Sequence, residues 1–228
     1  MFEQQRENIQ LHAKQLASVA LQKSEPSAWF EVLYAEAQGD AKLIPWAKLA
    51  PHPYLQDWLT NHQPFASGNK KALVIGCGLG DDAQALANLG FEVTAFDISP
   101  TAVAWCKQRF PNSTVNYVVA DLLAIPPQWH LGFDFVFECR NIQSLPLNVR
   151  SSVISSVVSV VAPGGTLLLI TRIRDIEAEP SGPPWPLSDS ELKQFESLGL
   201  QQVEKLEFLE SELFDVKHVR IEYHLSFG

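Results

Sequence analysis

Residues 71–97, KALVIGCGLGDDAQALANLGFEVTAFD, carry the spacing in this chain that is best suited to chemistry. Gly76, Gly78 and Gly80 alternate directly behind an apolar run, 72–75, and Asp97 closes a second run at 91–96. Glycine lets the backbone turn tightly and lets a ligand approach where a Cβ would collide. The N–H groups of a helix that starts just after such a turn favour a carboxylate or a phosphate. An ionised acid after the second strand can accept hydrogen bonds from both hydroxyls of a ribose. Dinucleotide binders space their glycines G-x-G-x-x-G. Here the third glycine comes one position early and Asp81 stands where that pattern has glycine. Asp81 and Asp82 would repel a pyrophosphate, so a ligand with one carboxylate and a cationic centre fits better.

Strand, glycine turn, helix, strand and acid form the first half of an α/β, doubly wound sheet with a nucleoside site at its carboxyl edge. Further strands are predicted at 115–120, 133–137 and 166–171, and helices at 101–109, 146–161 and 188–198. Pro100 is a normal helix opener after Ser99. Ser188 with Glu191 reads as a helix start. Two alternating stretches, 199–209 and 217–227, joined by 210–215, read as a terminal antiparallel pair. Residues 1 to about 24 read as an amphipathic helix with Ile9, Leu11, Leu16, Val19 and Leu21 on its apolar side. In 28–62 the aromatics Trp29, Phe30, Tyr34, Trp46, Tyr54 and Trp58 crowd together, and Pro45, Pro51 and Pro53 cut the segment short. A small helical lid over the sheet is expected there.

Composition narrows the function. The 228 residues suit one domain or one domain with an appended segment, and 46% apolar content is ample for a core. Apolar runs stop short of membrane-spanning length and the first residues lack a secretory pattern, so a cytoplasmic protein without a membrane partner is expected. The formal net charge of −9 comes with no basic run, which argues against nucleic acid as a partner. Three separated cysteines and six histidines without ligand spacing indicate neither a disulfide framework nor a metal site.

VIGCGLGDDA together with FDIS resembles motif I and the following acidic position of class I S-adenosylmethionine-dependent methyltransferases. The resemblance implies a Rossmann-like, seven-stranded sheet, mostly parallel with its last strand antiparallel, behind an N-terminal helical cap. It divides the chain into a cap or lid segment, 1–64, and a methyltransferase domain, 65–228. It places Gly76, Cys77, Gly78 and Gly80 around the methionine part of S-adenosylmethionine and Asp97 on the ribose, with Ile98 and Ser99 beside it. Asp121 would accept the adenine amino group, with Leu122 and Leu123 sandwiching the ring; Asp121 also suits a helix N-cap.

Pro45-Trp46 after Gly39-Asp40 is similar to the Trp-containing N-terminal segment of methyltransferases that act on thiols. This places Trp46 against cofactor or acceptor with Tyr34 nearby, where a ring face can meet a sulfonium. FDFVFECRNIQSLP resembles the D-R-A-A-L-x-A-L-P segment of thiopurine-methyltransferase-like proteins. Glu138 matches its acid, Cys139 falls where that family has arginine, and Arg140 comes one residue later. Glu138, Arg140 and Gln143 are therefore the expected acceptor-orienting groups, Glu138 also bordering the cofactor. Trp185, at the tip of the proline-rich loop 181–186, is expected to join Trp46 as a substrate wall. The implied reaction is methyl transfer to a small-molecule nucleophile such as a thiol or phenol, without metal and with the oligomeric state open. A non-catalytic cofactor-binding module and a nicotinamide-dependent oxidoreductase are the alternatives.

Overall fold

The computed structural model describes residues 2–62, 70–175, 180, 182–209 and 216–226. The expected 64/65 boundary, Ser181, the connection 210–215 and Phe227 lie outside the described residues. Fourteen longer elements run in chain order: α1 (Phe2–Gln22), α2 (Ala28–Ala37), α3 (Pro53–Asn61), β1 (Lys71–Ile75), α4 (Asp81–Asn88), β2 (Glu92–Asp97), α5 (Pro100–Arg109), β3 (Asn116–Val119), β4 (Phe133–Cys139), α6 (Arg150–Ser159), β5 (Val161–Arg172), α7 (Asp189–Ser197), β6 (Leu200–Leu209) and β7 (Lys217–Leu225). The sheet order is β3-β2-β1-β4-β5-β7-β6. All neighbours are parallel except β7, which lies antiparallel between β5 and β6. No helix of the described residues is long and apolar enough to cross a membrane.

The sheet is a continuous apolar plate because its central strands are buried on both faces. Leu73, Ile75, Phe96, Val136, Leu167 and Leu169 pack on one side with residues of α6 and α7. Val74, Ala95, Phe135, Phe137 and Ile170 pack on the other with residues of α3, α4 and α5. Strand order reverses at β1, which has β2 on one side and β4 on the other. Register sets Ile75 level with both Phe96 and Glu138. The carboxyl ends that follow therefore open together, as a crevice at the switch point requires.

The cap shares its core with that crevice. Ala13, Ala17 and Ala20 of α1 meet Trp29, Leu33, Tyr34 and Ala37 of α2, and the same cluster takes in Leu79 and Ala102. The apolar face of α1 differs from the sequence expectation: Leu11 and Val19 are exposed and the alanines are buried. Small side chains at i, i+4 and i+7 make a flat stripe on which a second helix can lie close. The proline-glycine turn at 162–165 also differs, since β5 already begins at Val161 and the turn is a bulge within it, Phe133 pairing with Val161 and Phe135 with Thr166. The helix expected at 146–161 is a 3-10 turn, Leu147–Val149, followed by α6. Ser188 and Glu191 form the reciprocal capping box of α7.

Helix α3 is tied to the far edge of the sheet by polar bonds. Trp58 Nε1 donates to buried Glu222 (2.6 Å), and Arg220 donates to Asp57 (2.6 Å), Glu204 (2.9 Å) and the carbonyl of Tyr54 (3.2 Å). Trp58 also stacks on Phe135 at 4.9 Å. Replacing Trp58 by Phe keeps most of the packing and removes a donor to a buried carboxylate. A loss of roughly 1.5–3 kcal/mol is expected, read as a lower urea midpoint at unchanged slope.

Candidate active site

The glycine turn is held from outside and from below. Cys77 N–H donates to the carbonyl of Phe96 (2.8 Å) and Gly78 N–H to Asp97 Oδ2 (2.9 Å). On the outer side Cys106 Sγ meets the Gly78 carbonyl (3.2 Å), Arg109 the Leu79 carbonyl, and the Tyr117 hydroxyl the Gly80 carbonyl (3.3 Å). Arg109 also grips Asp81 with two bonds of 2.8 Å. The acid that replaces the dinucleotide glycine is therefore neutralised by the end of α5 and anchors the turn.

Space at the glycines is taken by side chains of this chain. At Gly76, φ is +57° and a Cβ would lie 1.8 Å from Asn141 Oδ1. Asn141 Nδ2 donates to the carbonyls of Ile75 (2.8 Å) and Cys139 (3.2 Å), closing the gap between β1 and β4. At Gly78, φ is +54° and a Cβ would lie 3.2 Å from the Tyr34 hydroxyl and 4.0 Å from Trp46 Nε1. Trp46 Nε1 donates to that hydroxyl (2.9 Å), and its ring meets Trp29, Phe30 and Tyr34 edge-on at 5.8–6.0 Å. Tyr34 is buried while Trp46 remains 38% exposed. Burial and the neighbouring Asp97 hold the Tyr34 phenol well above its ordinary range, so it stays neutral. Tyr34 and Trp46 thus stand against the turn.

Asp97 is buried, with Oδ1 accepting from Ser99 N–H (3.0 Å) and Oδ2 from Gly78 N–H. Burial pushes its pKa up to about 6 against the pull of N–H bonds from Ser99, Gly78 and Ile98. Each carboxylate oxygen retains capacity for a further bond. Ser99 is buried and caps α5 through Ala102 N–H (3.0 Å), while Ile98 is half-buried. At the end of β3, Asp121 accepts from Leu123 N–H (2.8 Å). Leu122 is buried but Leu123 is exposed, so the two leucines do not form an equivalent pair.

The end of β4 departs from expectation. Glu138 is fully buried: Oε1 accepts from the N–H groups of Asn141 (2.6 Å) and Ile142 (3.0 Å), and Oε2 has no hydrogen-bond partner among the described residues. Burial pushes its pKa up to about 7, opposed by those N–H bonds and by the charge of Arg150. Gln143 is buried too, its Oε1 accepting from Arg172 N–H (2.6 Å) and the Thr171 hydroxyl (3.2 Å). Both side chains bond main-chain N–H groups, Glu138 those of its own turn and Gln143 that of Arg172. Trp185 is likewise buried against Gly182, where a Cβ would fall 2.4 Å from its ring. Its N–H donates to the Gln143 carbonyl (2.6 Å) and its own carbonyl accepts from Arg150 (3.1 Å). Trp185 is therefore tied through its backbone to Gln143 and Arg150.

Arg140 alone of the three expected acceptor groups is only partly buried. Its backbone is left-handed (φ +67°), a conformation that side chains other than glycine rarely adopt. Its guanidinium lies 3.4 Å from His52 Nε2, and its charge acts on Asp82. Asp82 accepts from His52 N–H (2.6 Å), and burial pushes its pKa up to about 6. Sequence reasoning assigned no site role to His52, Asp82, Asn141 or Arg109. The paired acids at 81–82 were the visible signal for two of these contacts, because two acids opening a helix need partners.

A mostly parallel sheet with β7 antiparallel beside β5, a glycine turn at the switch point and a buried acid at the end of β2 is the arrangement of class I S-adenosylmethionine-dependent methyltransferases. The chain matches the thiopurine S-methyltransferase family over residues 36–222 and belongs to that family. It is 31% identical over 166 residues to a "Probable thiol methyltransferase 2" of Arabidopsis thaliana, covering 70% of this chain and 69% of the relative. It is 29% identical to "Thiocyanate methyltransferase 1" of the same plant (54% of this chain) and 31% identical to a "Ubiquinone biosynthesis O-methyltransferase" of Azotobacter vinelandii (56% of this chain). The matches to these two span only about half of their length, 55% and 54%. Among solved structures, the N-methyltransferase NodS of Bradyrhizobium japonicum WM9, in complex with S-adenosylhomocysteine, shares the fold at a TM-score of 0.64 and 21% identity, over 86% of this chain and 97% of that one. Membership removes the nicotinamide-dependent oxidoreductase.

The residues present fit the cofactor. A buried carboxylate with spare acceptor capacity and an exposed indole against the turn suit a sugar and a sulfonium. Because Arg109 fixes the turn through a two-pronged bond that lysine cannot reproduce, Arg109→Lys should weaken S-adenosylhomocysteine binding about tenfold by calorimetry. The fold should survive with its circular dichroism unchanged.

Proposed function

We propose that this methyltransferase acts on a small thiol or a similarly soft small-molecule nucleophile, in the crevice between the glycine turn and the cap. The observation that carries the reading is the Tyr34–Trp46 wall, which stands against Gly78 beside buried Asp97. The sulfur acceptors named by the family and by the plant relative support the acceptor class.

In this reading residues 1–64 act as the cap or lid and 65–228 as the methyltransferase domain. Asp97 accepts from the ribose, with Ile98 and Ser99 shaping its edge. Gly76, Cys77, Gly78 and Gly80 form the floor under the methionine part, and Asp121 and Leu122 border the adenine. When bound, S-adenosylmethionine supplies a methyl group activated on a sulfonium. Trp46 offers its ring to that cation and excludes water. Arg140, backed by Asp82 and His52, orients the acceptor and steadies an anionic one. A thiol, with an ordinary pKa of about 8.5, releases its proton to solvent without a dedicated base. The rest is positioning, which can lower a barrier by roughly 7–11 kcal/mol. A phenol is the second reading, favoured by Asp82: a carboxyl raised to about 6 beside Arg140 is placed to take a proton.

Incubation with labelled S-adenosylmethionine and a panel of small thiols, thiocyanate, halides and phenols tests the reading. Thiols should be labelled at least tenfold faster than phenols, and the reverse order would favour the phenol. Trp46→Ala should raise the KM for cofactor or acceptor about tenfold while the melting temperature falls by no more than a few degrees.

Asp97 gives a pH signature with a definite sign. Below about pH 6 its carboxyl takes a proton and surrenders acceptor capacity, so cofactor binding should weaken as pH falls through that value. In the cofactor-free protein the sign is reversed: the raised pKa favours the fold while protonated, and that contribution is lost as pH rises through about 6. Asp97→Asn should lower affinity at least tenfold at pH 7.5 and flatten its dependence between pH 5 and 8, followed by calorimetry.

A further inference from the structure

One acid of the cap reaches across to the crevice. Glu31 sits in α2 among the aromatics that build the wall: Trp29 and Phe30 precede it and Tyr34 lies one turn on. Its Oε2 accepts from the Ser99 hydroxyl (2.5 Å) and Thr101 N–H (3.1 Å), and its Oε1 from the Thr101 hydroxyl (2.7 Å). These are charge-assisted bonds to the first turn of α5, an end that favours negative charge. Ser99 is shared, since its N–H donates to Asp97 Oδ1. Two carboxylates, one from the cap and one from the sheet, are thus joined through a single residue. Their like charges oppose each other: Glu31 is among the groups that push the Asp97 carboxyl up. The hydrogen bonds of Glu31 outweigh its own burial and hold its pKa below the usual range, so it remains charged at neutral pH.

We propose that Glu31 is a positioning residue that latches α2, and with it the Tyr34–Trp46 wall, over the crevice, and that its charge makes the latch favour the cationic cofactor over the neutral product. The inference rests on the reading that the Asp97 crevice holds the cofactor. A sulfonium bound against Trp46, on the same ligand whose ribose Asp97 holds, offsets the repulsion between the two carboxylates and favours the closed cap. Transfer of the methyl group leaves a neutral thioether, the repulsion returns, and the cap loosens for release. A ligand shifts such an equilibrium only by its differential interaction with the two states, and the cation supplies that difference.

The test measures binding of S-adenosylmethionine, of its unreactive ammonium analogue and of S-adenosylhomocysteine to the full chain, by calorimetry and by stopped-flow tryptophan fluorescence. Glu31→Gln keeps the size and removes the charge. It should weaken the two cationic ligands about tenfold and the neutral product less than threefold, reducing the cation-to-neutral affinity ratio. Thr101→Val keeps the charge and removes one latch bond. It should speed dissociation of all three ligands several-fold and leave their affinity ratio unchanged. Equal weakening of cationic and neutral ligands by Glu31→Gln, or unaltered dissociation rates in Thr101→Val, would overturn the proposal. Should Glu31→Gln not fold, the Thr101→Val rates still decide on the latch. A wild-type chain that binds none of the three ligands would instead overturn the crevice reading, and the latch with it.

Discussion

Asp97 is a carboxylate that the fold buries before any ligand is considered, and most of the site follows from what makes that burial tolerable. A buried acid must be hydrogen-bonded or neutralised. Asp97 receives the N–H of Gly78 from the turn after β1 and the N–H of Ser99 from its own strand end. The first bond requires the glycine turn to run under the end of β2, and the second requires α5 to start at once. Each of those requirements is met by a further contact: Cys77 to Phe96 on one side, the Ser99 cap of α5 on the other. The crevice is therefore a consequence of satisfying one acid at a topological switch point.

The same logic explains why polar side chains after the end of β4 are tied into the fold. Glu138, Asn141 and Gln143 look like a catalytic cluster when written in a row. In space they terminate strands. Asn141 takes the volume that glycine leaves at position 76, Glu138 receives the N–H groups of the turn, and Gln143 holds the end of β5. Between Cys139 and Asn141 the backbone of Arg140 is left-handed, with a φ of +67°. A strained residue flanked by well-bonded ones is a pattern expected at a functional position.

Much of this was legible in the sequence, and the division follows range. The glycine spacing, Asp97, the capping box at Ser188 and the terminal hairpin are local patterns in which neighbours along the chain decide the outcome. The packing of Trp46 with Trp29, Phe30 and Tyr34 was legible because these aromatics crowd into one short segment. What escaped depends on distant partners. Trp185 is buried because Arg150 and Gln143, each more than thirty residues away, bond its backbone. Alanines line the buried face of α1 because α2 approaches closely, which no count of large apolar residues in α1 can reveal. Arg109 has nothing in its own helix to mark it. Only the position of Asp81 at the turn makes it necessary.

The two halves of the crevice are built by different means, and this bears on how such a fold can serve different acceptors. The cofactor side rests on main-chain bonds: Gly78, Ser99, Cys77 and the carbonyls held by Cys106, Arg109 and Tyr117. Changing a side chain there disturbs a turn that several others hold in place. In the proposed reading the acceptor side is made of side chains carried on separate pieces, with Trp46 and His52 from the cap, Asp82 from α4 and Arg140 from the end of β4. Each can be exchanged without unmaking the bonds to Asp97. Retention of the cofactor crevice with variation of the acceptor groups is thus the path of least structural resistance, and the shift of the arginine from position 139 to 140 relative to the family pattern is a change of that kind.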